Sequence, residues 1–230
     1  MQTLTDEKMK KNVIIYAANL CEIDTFPPDL PVALERLTQI RKIAHPEARR
    51  KSLVAELLLC WAVRQFYPNM PPLARQTNSY GKPFFSALPN FHFNLSHSRD
   101  WVILGIADIP IGVDIEFCAQ PKPQIVQRFF HPNEQNYFFS LPEADWQDGF
   151  YSLWVLKESA VKAFGLGMHF PFCRFSVSLP DLQLSNAPGH AQLALPKFYD
   201  TDYRLGICTL DSIPIKPAVH ILSPETILCK

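Results

Sequence analysis

The sequence has no excess of charge of either sign, because Lys plus Arg and Asp plus Glu number 22 each. Bulk nucleic-acid binding usually needs a basic face, so we predict no nucleic-acid partner and expect any anion site to be a local basic cluster. Apolar stretches such as residues 57–63 are far too short to cross a bilayer. The first 20 residues have neither a long apolar core nor a small-residue cleavage site. We therefore predict a cytoplasmic protein with no membrane partner.

The sequence also lacks paired cysteines. None of its 6 cysteines lies in a CxxC pair, which argues against a zinc site. We interpret them as reduced thiols packed as small hydrophobes rather than as disulfides. A chain of 230 residues with 47% hydrophobic and 19% charged residues is folded and long enough for one large domain or two small lobes.

Helical and strand periodicities are both present, and they predict an α+β fold. Apolar spacing predicts helices over residues 32–43, 46–67 and 151–164, with Gly165 as the cap of the last. Alternation predicts strands at 91–98, 101–107, 111–116, 175–179 and 203–210, the first ending in a polar turn. The second and third of these strands have the spacing of a hairpin. Residues 124–140 are predicted to form short helices, with Asn133 as an N-cap.

Asp114 and Glu116 lie two positions apart on a predicted strand, so their side chains share one face. Two neighbouring carboxylates need a hard cation, a shared proton or a basic partner. A solvent-facing surface pair is the alternative interpretation. The opposite face is apolar, with Ile111, Val113 and Ile115, so the strand packs on a core.

Trp154, Glu158 and Lys162 form a stripe at positions i, i+4 and i+8 of the last predicted helix. This pattern is compatible with a functional site and equally with a surface ion pair. Ser96 and His97, at the end of a strand, supply donors suited to phosphate oxygens, although a plain polar turn is the alternative. Lys82 lies between Gly81, which permits a close approach, and Pro83, which fixes the chain, so it is a candidate site residue. The alternative interpretation is an ordinary exposed loop lysine.

The order of these segments is more specific than any one of them. GKP, FNLSHS, GVDIE, FF-x-x-x-E and W-x-x-KES-x-x-K-x-x-G follow one another along the chain. This arrangement resembles the Sfp-type 4′-phosphopantetheinyl transferases of the holo-acyl-carrier-protein synthase superfamily, over roughly residues 49–179.

The resemblance implies a pseudo-dimeric fold of two similar α+β lobes in one chain, with the active site in the cleft between them. It places the boundary near residues 108–111. Residues 1–108 would form the N-terminal lobe, with coenzyme A contacts, and 109–230 the C-terminal lobe, with the metal site. A chain that holds both lobes is compatible with a monomer.

The resemblance also implies roles for individual residues. Mg²⁺ would be bound by Asp114, Glu116 and Glu158, and Lys162 would contact the pyrophosphate of coenzyme A. Further coenzyme A contacts would come from Arg50, Ser52, Lys82, Ser96 and His97. Arg41 and Lys42 are additional members of the same basic patch. Glu134 is expected near the site or in a structural role.

The implied reaction transfers 4′-phosphopantetheine from coenzyme A to a serine of an apo acyl or peptidyl carrier protein and releases 3′,5′-ADP. Mg²⁺ and Lys162 would stabilise the charge on the phosphates. The base that deprotonates the serine would be Glu158 or a metal-bound water.

Two other functions use the same residues. A metal-dependent phosphohydrolase or phosphodiesterase would also employ three carboxylates and a histidine. A non-catalytic module that binds coenzyme A or a carrier protein would keep the fold, although the intact Asp114, Glu116, Glu158 and Lys162 argue against it.

Overall fold

The fold has four layers, in which two β-sheets pack face to face and one long helix covers the outer face of each sheet. The computed structural model describes residues 12–23, 25–27, 29–211 and 215–228. The strands are β1 Val13–Asn19, β2 Gln76–Thr77, β3 Pro83–Phe84, β4 His92–Ser98, β5 Trp101–Ala107, β6 Ile111–Phe117, β7 Ser176–Ser178, β8 Gln183–Ser185, β9 Gln192–Ala194, β10 Tyr203–Thr209 and β11 Pro217–Ile221. The α-helices are α1 Leu34–Arg41, α2 Pro46–Phe66, α3 Pro123–Phe129, α4 Pro132–Ser140, α5 Trp146–Phe164 and α6 Pro224–Leu228. The expected α+β class is therefore observed.

The first sheet has the strand order β11-β1-β5-β4 and the second has β6-β10-β9. All pairs are antiparallel except β1 with β11, which run parallel. Strands β2–β3 and β7–β8 form two small separate ribbons. Because β11 pairs with β1, the chain returns to the first sheet after the second sheet is complete.

Alternation along the strands divides the apolar side chains between the layers. Ile15, Ile103, Val113 and Leu205 belong to the layer between the two sheets. Side chains from the other face of β5 meet α2, and α5 has its own cluster on the far side of the second sheet. Both sheets are thus buried on their central faces, as expected for strands rich in Ile, Leu and Val.

The long helices begin and end as their sequences predict. Pro46 occupies the first turn of α2, and the His45 side chain accepts a hydrogen bond from the Ala48 N–H at 3.4 Å. Helix α5 ends at Gly165, whose φ of 68° is in the left-handed region. Glycine adopts that conformation without steric cost, which explains where the helix stops.

Three local predictions were wrong. Strands β5 and β6 do not form a hairpin, because they belong to different sheets. The predicted polar turn at the end of β4 is strand as far as Ser98, and the turn itself lies at Arg99 and Asp100. The N-cap of α4 is His131 rather than Asn133, and its side chain forms a capping box with Glu134.

None of the helices in the described segments is long and apolar enough to cross a membrane. The prediction of no signal peptide concerns mainly residues 1–11, which lie outside the described residues, as does Cys229. The described cysteines at positions 21, 60, 118, 173 and 208 are free.

Candidate active site

Strand β6 presents Gly112, Asp114 and Glu116 toward α5, while its alternate residues face the layer between the sheets. Asp114 is almost fully buried, with 3% of its surface exposed, and Glu116 is half-buried. The shared face predicted for the two acids is therefore a protected surface below a helix rather than an open one.

Two glycines allow α5 to lie directly on the second sheet. A Cβ atom at Gly112 would lie 2.0 Å from the Ser159 carbonyl oxygen, and one at Gly206 would lie 2.5 Å from the Val155 backbone. Any side chain at either position would push the helix away. This close contact brings Glu158 and Lys162 of α5 to the acids of β6.

Lys162 joins the helix to Asp114. Its Nζ lies 2.6 Å from Asp114 Oδ1, and it donates further to Ser96 Oγ at 3.0 Å and to the Val113 carbonyl at 3.2 Å. The Ser96 hydroxyl donates to the same Asp114 Oδ1 at 2.7 Å. The other carboxylate oxygen, Asp114 Oδ2, is buried and has no hydrogen-bond partner within the described part of the chain.

Glu116 accepts a hydrogen bond on Oε2 from Ser98 Oγ at 2.8 Å. Burial, and then the negative charge of Asp114, raise the pKa of Glu116 to about 7. Burial followed by Asp114 also raises the pKa of Glu158, and the Lys162 ammonium opposes this. Burial is thus the main cause of both raised pKa values, and the Asp114 charge adds to each.

The three acids offer only oxygen donors. Mg²⁺ prefers such donors and is usually held by one or two carboxylates together with water and substrate phosphates. No three His, Cys, Asp or Glu side chains of the described segments form a ready-made metal-binding group. An ion shared with substrate phosphates needs no such group, and the unpartnered Asp114 Oδ2 is suited to ligation. The donor set therefore fits Mg²⁺.

Asp114, Glu116, Glu158 and Lys162 line one cavity of about 420 Å³, which we name the carboxylate cavity. Of the other predicted site residues, the structure also brings Ser52, Ser96 and His97 to its wall. Desolvation of the imidazole lowers the pKa of His97, so the ring is neutral near pH 7 and supplies one N–H donor.

Arg36 also lines the carboxylate cavity, and our sequence analysis missed it. It is held by the buried Glu56, whose Oε2 lies 2.9 Å from Arg36 Nε and 2.8 Å from Arg75 Nη2. Arg36 and the buried Ile40 are spaced i, i+4 on α1, which indicates an inward-facing arginine. That spacing could have identified Arg36 from the sequence.

Two predicted residues lie elsewhere. Arg50 donates to the backbone carbonyls of Leu20 and Ile23 and borders a second groove, which Arg41 also lines. Lys82 donates to the carbonyls of Ile111 and Ala163, each at 2.9 Å, and so ties its loop to β6 and to the end of α5.

A groove of about 670 Å³ adjoins the carboxylate cavity. Its apolar wall contains Phe129, Phe170 and Phe172, and Lys82 lies on its border. The stripe of Trp154, Glu158 and Lys162 lines both spaces. A long ligand that lies over this stripe can therefore occupy the cavity and the groove together.

A second lysine–carboxylate pair lies behind the stripe, where Lys157 Nζ is 2.7 Å from Glu134 Oε1 and both side chains are fully buried. Lys157 also donates to the Phe175 carbonyl at 2.8 Å. Glu134 accepts from the backbone N–H groups of Val177 and His131 at 2.7 and 2.9 Å. Neither residue lines the carboxylate cavity.

The 4′-phosphopantetheinyl transferase superfamily matches residues 110–208. A 4′-phosphopantetheinyl transferase of Bacillus subtilis is 34% identical over 188 residues, covering 77% of this chain and 81% of the relative. The 4′-phosphopantetheinyl transferase Sfp of Bacillus subtilis (strain 168) is 33% identical over 182 residues, with the same 77% and 81%.

A human relative, L-aminoadipate-semialdehyde dehydrogenase-phosphopantetheinyl transferase, is 29% identical over 181 residues, covering 67% of this chain and 59% of its own. Among solved structures, the holo-[acyl-carrier-protein] synthase of Thermotoga maritima matches with a TM-score of 0.36 and 16% identity, over 45% of this chain and 63% of that chain.

Proposed function

Because this chain belongs to the 4′-phosphopantetheinyl transferase family, we propose that its carboxylate cavity transfers the 4′-phosphopantetheine arm of coenzyme A to a serine hydroxyl of an apo carrier protein. One observation carries the proposal for the site. Asp114, Glu116 and Glu158 meet Lys162 on the wall of one cavity, and a buried oxygen of Asp114 is left without a partner.

Asp114, Glu116 and Glu158 are the proposed ligands of Mg²⁺. When bound, the ion would neutralise charge on the phosphate oxygens of coenzyme A. The unpartnered Asp114 Oδ2 supports this assignment. Burial, and after it the charge of Asp114, raise the pKa values of Glu116 and Glu158, and a bound cation would stabilise their charged forms.

The phosphates of coenzyme A are proposed to bind between α2 and α5. Arg36, Ser52 and His97 supply donors on one wall of the cavity, and Lys162 supplies a cation on the other. Ser96 is turned toward Asp114 and acts through it. Contacts of Lys82 and Arg50 with coenzyme A remain predictions, because in this structure both side chains donate to backbone carbonyls.

In the proposed reaction, the serine oxygen of the carrier forms a bond to the β-phosphorus of coenzyme A, and the bond from that phosphorus to the bridging oxygen breaks. The oxygen leaves with 3′,5′-ADP. Lys162 stabilises the charge that develops on the phosphates. Glu158 is the proposed acceptor of the serine proton, because its carboxylate lies on the wall of the carboxylate cavity.

We further propose the two-lobe arrangement of the family, with the site in the cleft between the lobes. The two sheets, each covered by its own long helix, support it. The boundary at residues 108 and 109 stays a prediction, as does the cytoplasmic location. Strand β11 lies beyond that boundary in sequence but pairs with β1 in the first sheet. A monomer also stays a prediction.

The decisive test incubates the protein with coenzyme A, Mg²⁺ and a panel of apo acyl and peptidyl carrier proteins, and follows the carrier by mass spectrometry. A mass gain of one phosphopantetheine is expected. Asp114→Ala and Glu158→Gln should abolish the gain. Glu143→Gln, which changes an exposed acid just before α5, should preserve it.

Hydrolysis of coenzyme A without modification of any carrier would indicate a phosphohydrolase instead. Binding of coenzyme A without either reaction would indicate a non-catalytic module. Undiminished transfer by both Asp114→Ala and Glu158→Gln would refute the metal assignment.

A further inference from the structure

Strands β4 and β6 lie side by side although they belong to different sheets. Three side chains of β4, rather than its backbone, satisfy the N–H groups of β6. Asn94 Oδ1 accepts from Val113 N at 2.9 Å, Ser96 Oγ accepts from Ile115 N at 3.4 Å and Ser98 Oγ accepts from Phe117 N at 3.1 Å. The offset is 19 residues in every case. We name this row of hydrogen bonds the seam.

The two serines of the seam also hold the two acids of β6. Ser96 Oγ donates to Asp114 Oδ1 at 2.7 Å, and Ser98 Oγ donates to Glu116 Oε2 at 2.8 Å. A hydroxyl has one proton, and in each serine that proton is directed at a carboxylate. The hydrogen bond that each serine oxygen accepts from an N–H of β6 fixes the position of the hydroxyl. Each serine therefore fixes its acid relative to the backbone of the same strand.

The two acids differ in how much they depend on their serine. Asp114 is also held by Lys162 at 2.6 Å. For Glu116, Ser98 is the one side-chain hydrogen-bond partner that the described residues provide. A glutamate side chain has several free torsions, and ordering them costs conformational entropy at the moment a ligand binds. A donor that orders the carboxylate beforehand removes part of that cost.

We propose that Ser98 is a positioning residue for the Glu116 carboxylate, holding Oε2 on the seam and leaving Oε1 for a divalent cation. This rests on the proposed function, in which Glu116 is a metal ligand. Groups that orient metal ligands in this way typically change metal affinity about 10- to 100-fold when removed.

The test measures Mn²⁺ binding by electron paramagnetic resonance, with and without coenzyme A, so that it does not depend on turnover. Ser98→Val and Ser98→Thr have nearly the same shape and differ in the hydroxyl. Ser98→Val should bind Mn²⁺ about tenfold more weakly, and Ser98→Thr should bind as the wild type does. Ser178→Ala removes a serine hydrogen bond to Asp181 on the separate ribbon and should have no effect.

The route of the effect is tested by combining the variants. In a Glu116→Gln background, Ser98→Val should add little further loss, because residues that act as one unit are not additive. Equal Mn²⁺ affinity of Ser98→Val and Ser98→Thr would overturn the proposal, and so would full additivity with Glu116→Gln.

Thermal melting in EDTA guards against a loss of fold. Ser98→Val also leaves the Phe117 N–H without its acceptor, so a small drop in melting temperature relative to Ser98→Thr is expected. If Ser98→Val is unfolded at the temperature of the Mn²⁺ measurement while Ser98→Thr is folded, the hydroxyl is structural and the proposal is wrong. Failure of the proposed function is distinguishable, because the wild-type protein itself would then neither bind Mn²⁺ nor transfer phosphopantetheine.

Discussion

Helix α5 carries two lysine–carboxylate pairs that use the same chemistry in opposite ways. Around Lys157 and Glu134 both carboxylate oxygens accept hydrogen bonds. The ammonium donates to two oxygens and lies 4.0 Å from the centre of the Phe175 ring. At the other pair, Lys162 is 27% exposed to the carboxylate cavity and Asp114 retains an unpartnered oxygen.

The difference teaches that the KES motif places a buried lysine and a cavity-lining glutamate in adjacent positions. Lys157 faces inward and joins α5 to α4 and to the segment before β7, whereas Glu158 faces the cavity. Both pairs are short and partly or wholly buried, so distance alone does not separate a structural pair from a reactive one. What distinguishes the two pairs is that one carboxylate oxygen of Asp114 has no hydrogen-bond partner among the described residues.

The largest effect is expected from breaking the inner pair. Lys157→Met leaves the Glu134 charge buried without its partner, which should lower the free energy of unfolding by about 3–5 kcal/mol. At about 2–4 °C per kcal/mol for a chain of this size, the melting temperature should fall by roughly 10 °C. Thermal melting followed by circular dichroism would measure it.

The control for this variant is Glu134→Gln combined with Lys157→Met, which removes both charges and keeps an acceptor for the Val177 N–H. It should recover much of the lost stability, because the uncompensated charge has gone. A double variant no more stable than Lys157→Met would show that packing, rather than charge, dominates this cluster.

The second effect comes from the same substitution five positions later. Lys162→Met should reduce transfer about 10²–10³-fold, because it removes the cation that the proposed reaction uses to stabilise charge on the phosphates. Its melting temperature should fall less than that of Lys157→Met, since Lys162 is partly exposed and Asp114 keeps its bond from Ser96. Steady-state transfer assays and melting curves of the two methionine variants, run side by side, would sharpen the contrast. If Lys162→Met lost much stability but kept normal turnover, the contrast between the two pairs would be contradicted.

The smallest effect concerns Lys82, which meets the end of α5 at the Ala163 carbonyl and bonds backbone oxygens instead of a carboxylate. Burial lowers the pKa of Lys82 to about 8, from 10.5 for an unperturbed lysine. Between these values the unfolded chain binds more protons than the folded one, so stability rises with pH through that window.

Lys82→Met lacks this titration. The difference in melting temperature between wild type and variant should therefore move in favour of the wild type by about 5 °C from pH 7.5 to 9.5. Melting curves at the two pH values, without coenzyme A, measure this. A difference that stays constant would mean that Lys82 is solvated and not penalised by burial.

Much of the site could be predicted because its elements are strongly periodic. Alternation around Asp114 and Glu116 places both acids on one face, and helical spacing places Trp154, Glu158 and Lys162 on one stripe. The structure brings these sets together on one cavity. The hydrogen-bond partners of each motif were harder to predict, because bonds such as that between Lys157 and Glu134 join residues far apart in sequence.

The errors have physical reasons as well. Asp108, Ile109 and Pro110 have the length and composition of a hairpin turn, yet β6 pairs with β10, almost a hundred residues later, and with side chains of β4. Tertiary pairing overrides a local turn preference, and nothing in residues 101–116 reports it. The N-cap at His131 was missed because histidine is not among the usual capping residues.

The parallel pairing of β1 with β11 has a consequence for synthesis of the chain. Strand β1 leaves the ribosome early, but its outer neighbour is made only after the whole second sheet. Until then the growing chain carries an unpaired strand edge, which is open to wrong pairing with other chains. Folding of the first sheet must therefore finish late, and its closure depends on contacts between distant parts of the sequence, which form slowly.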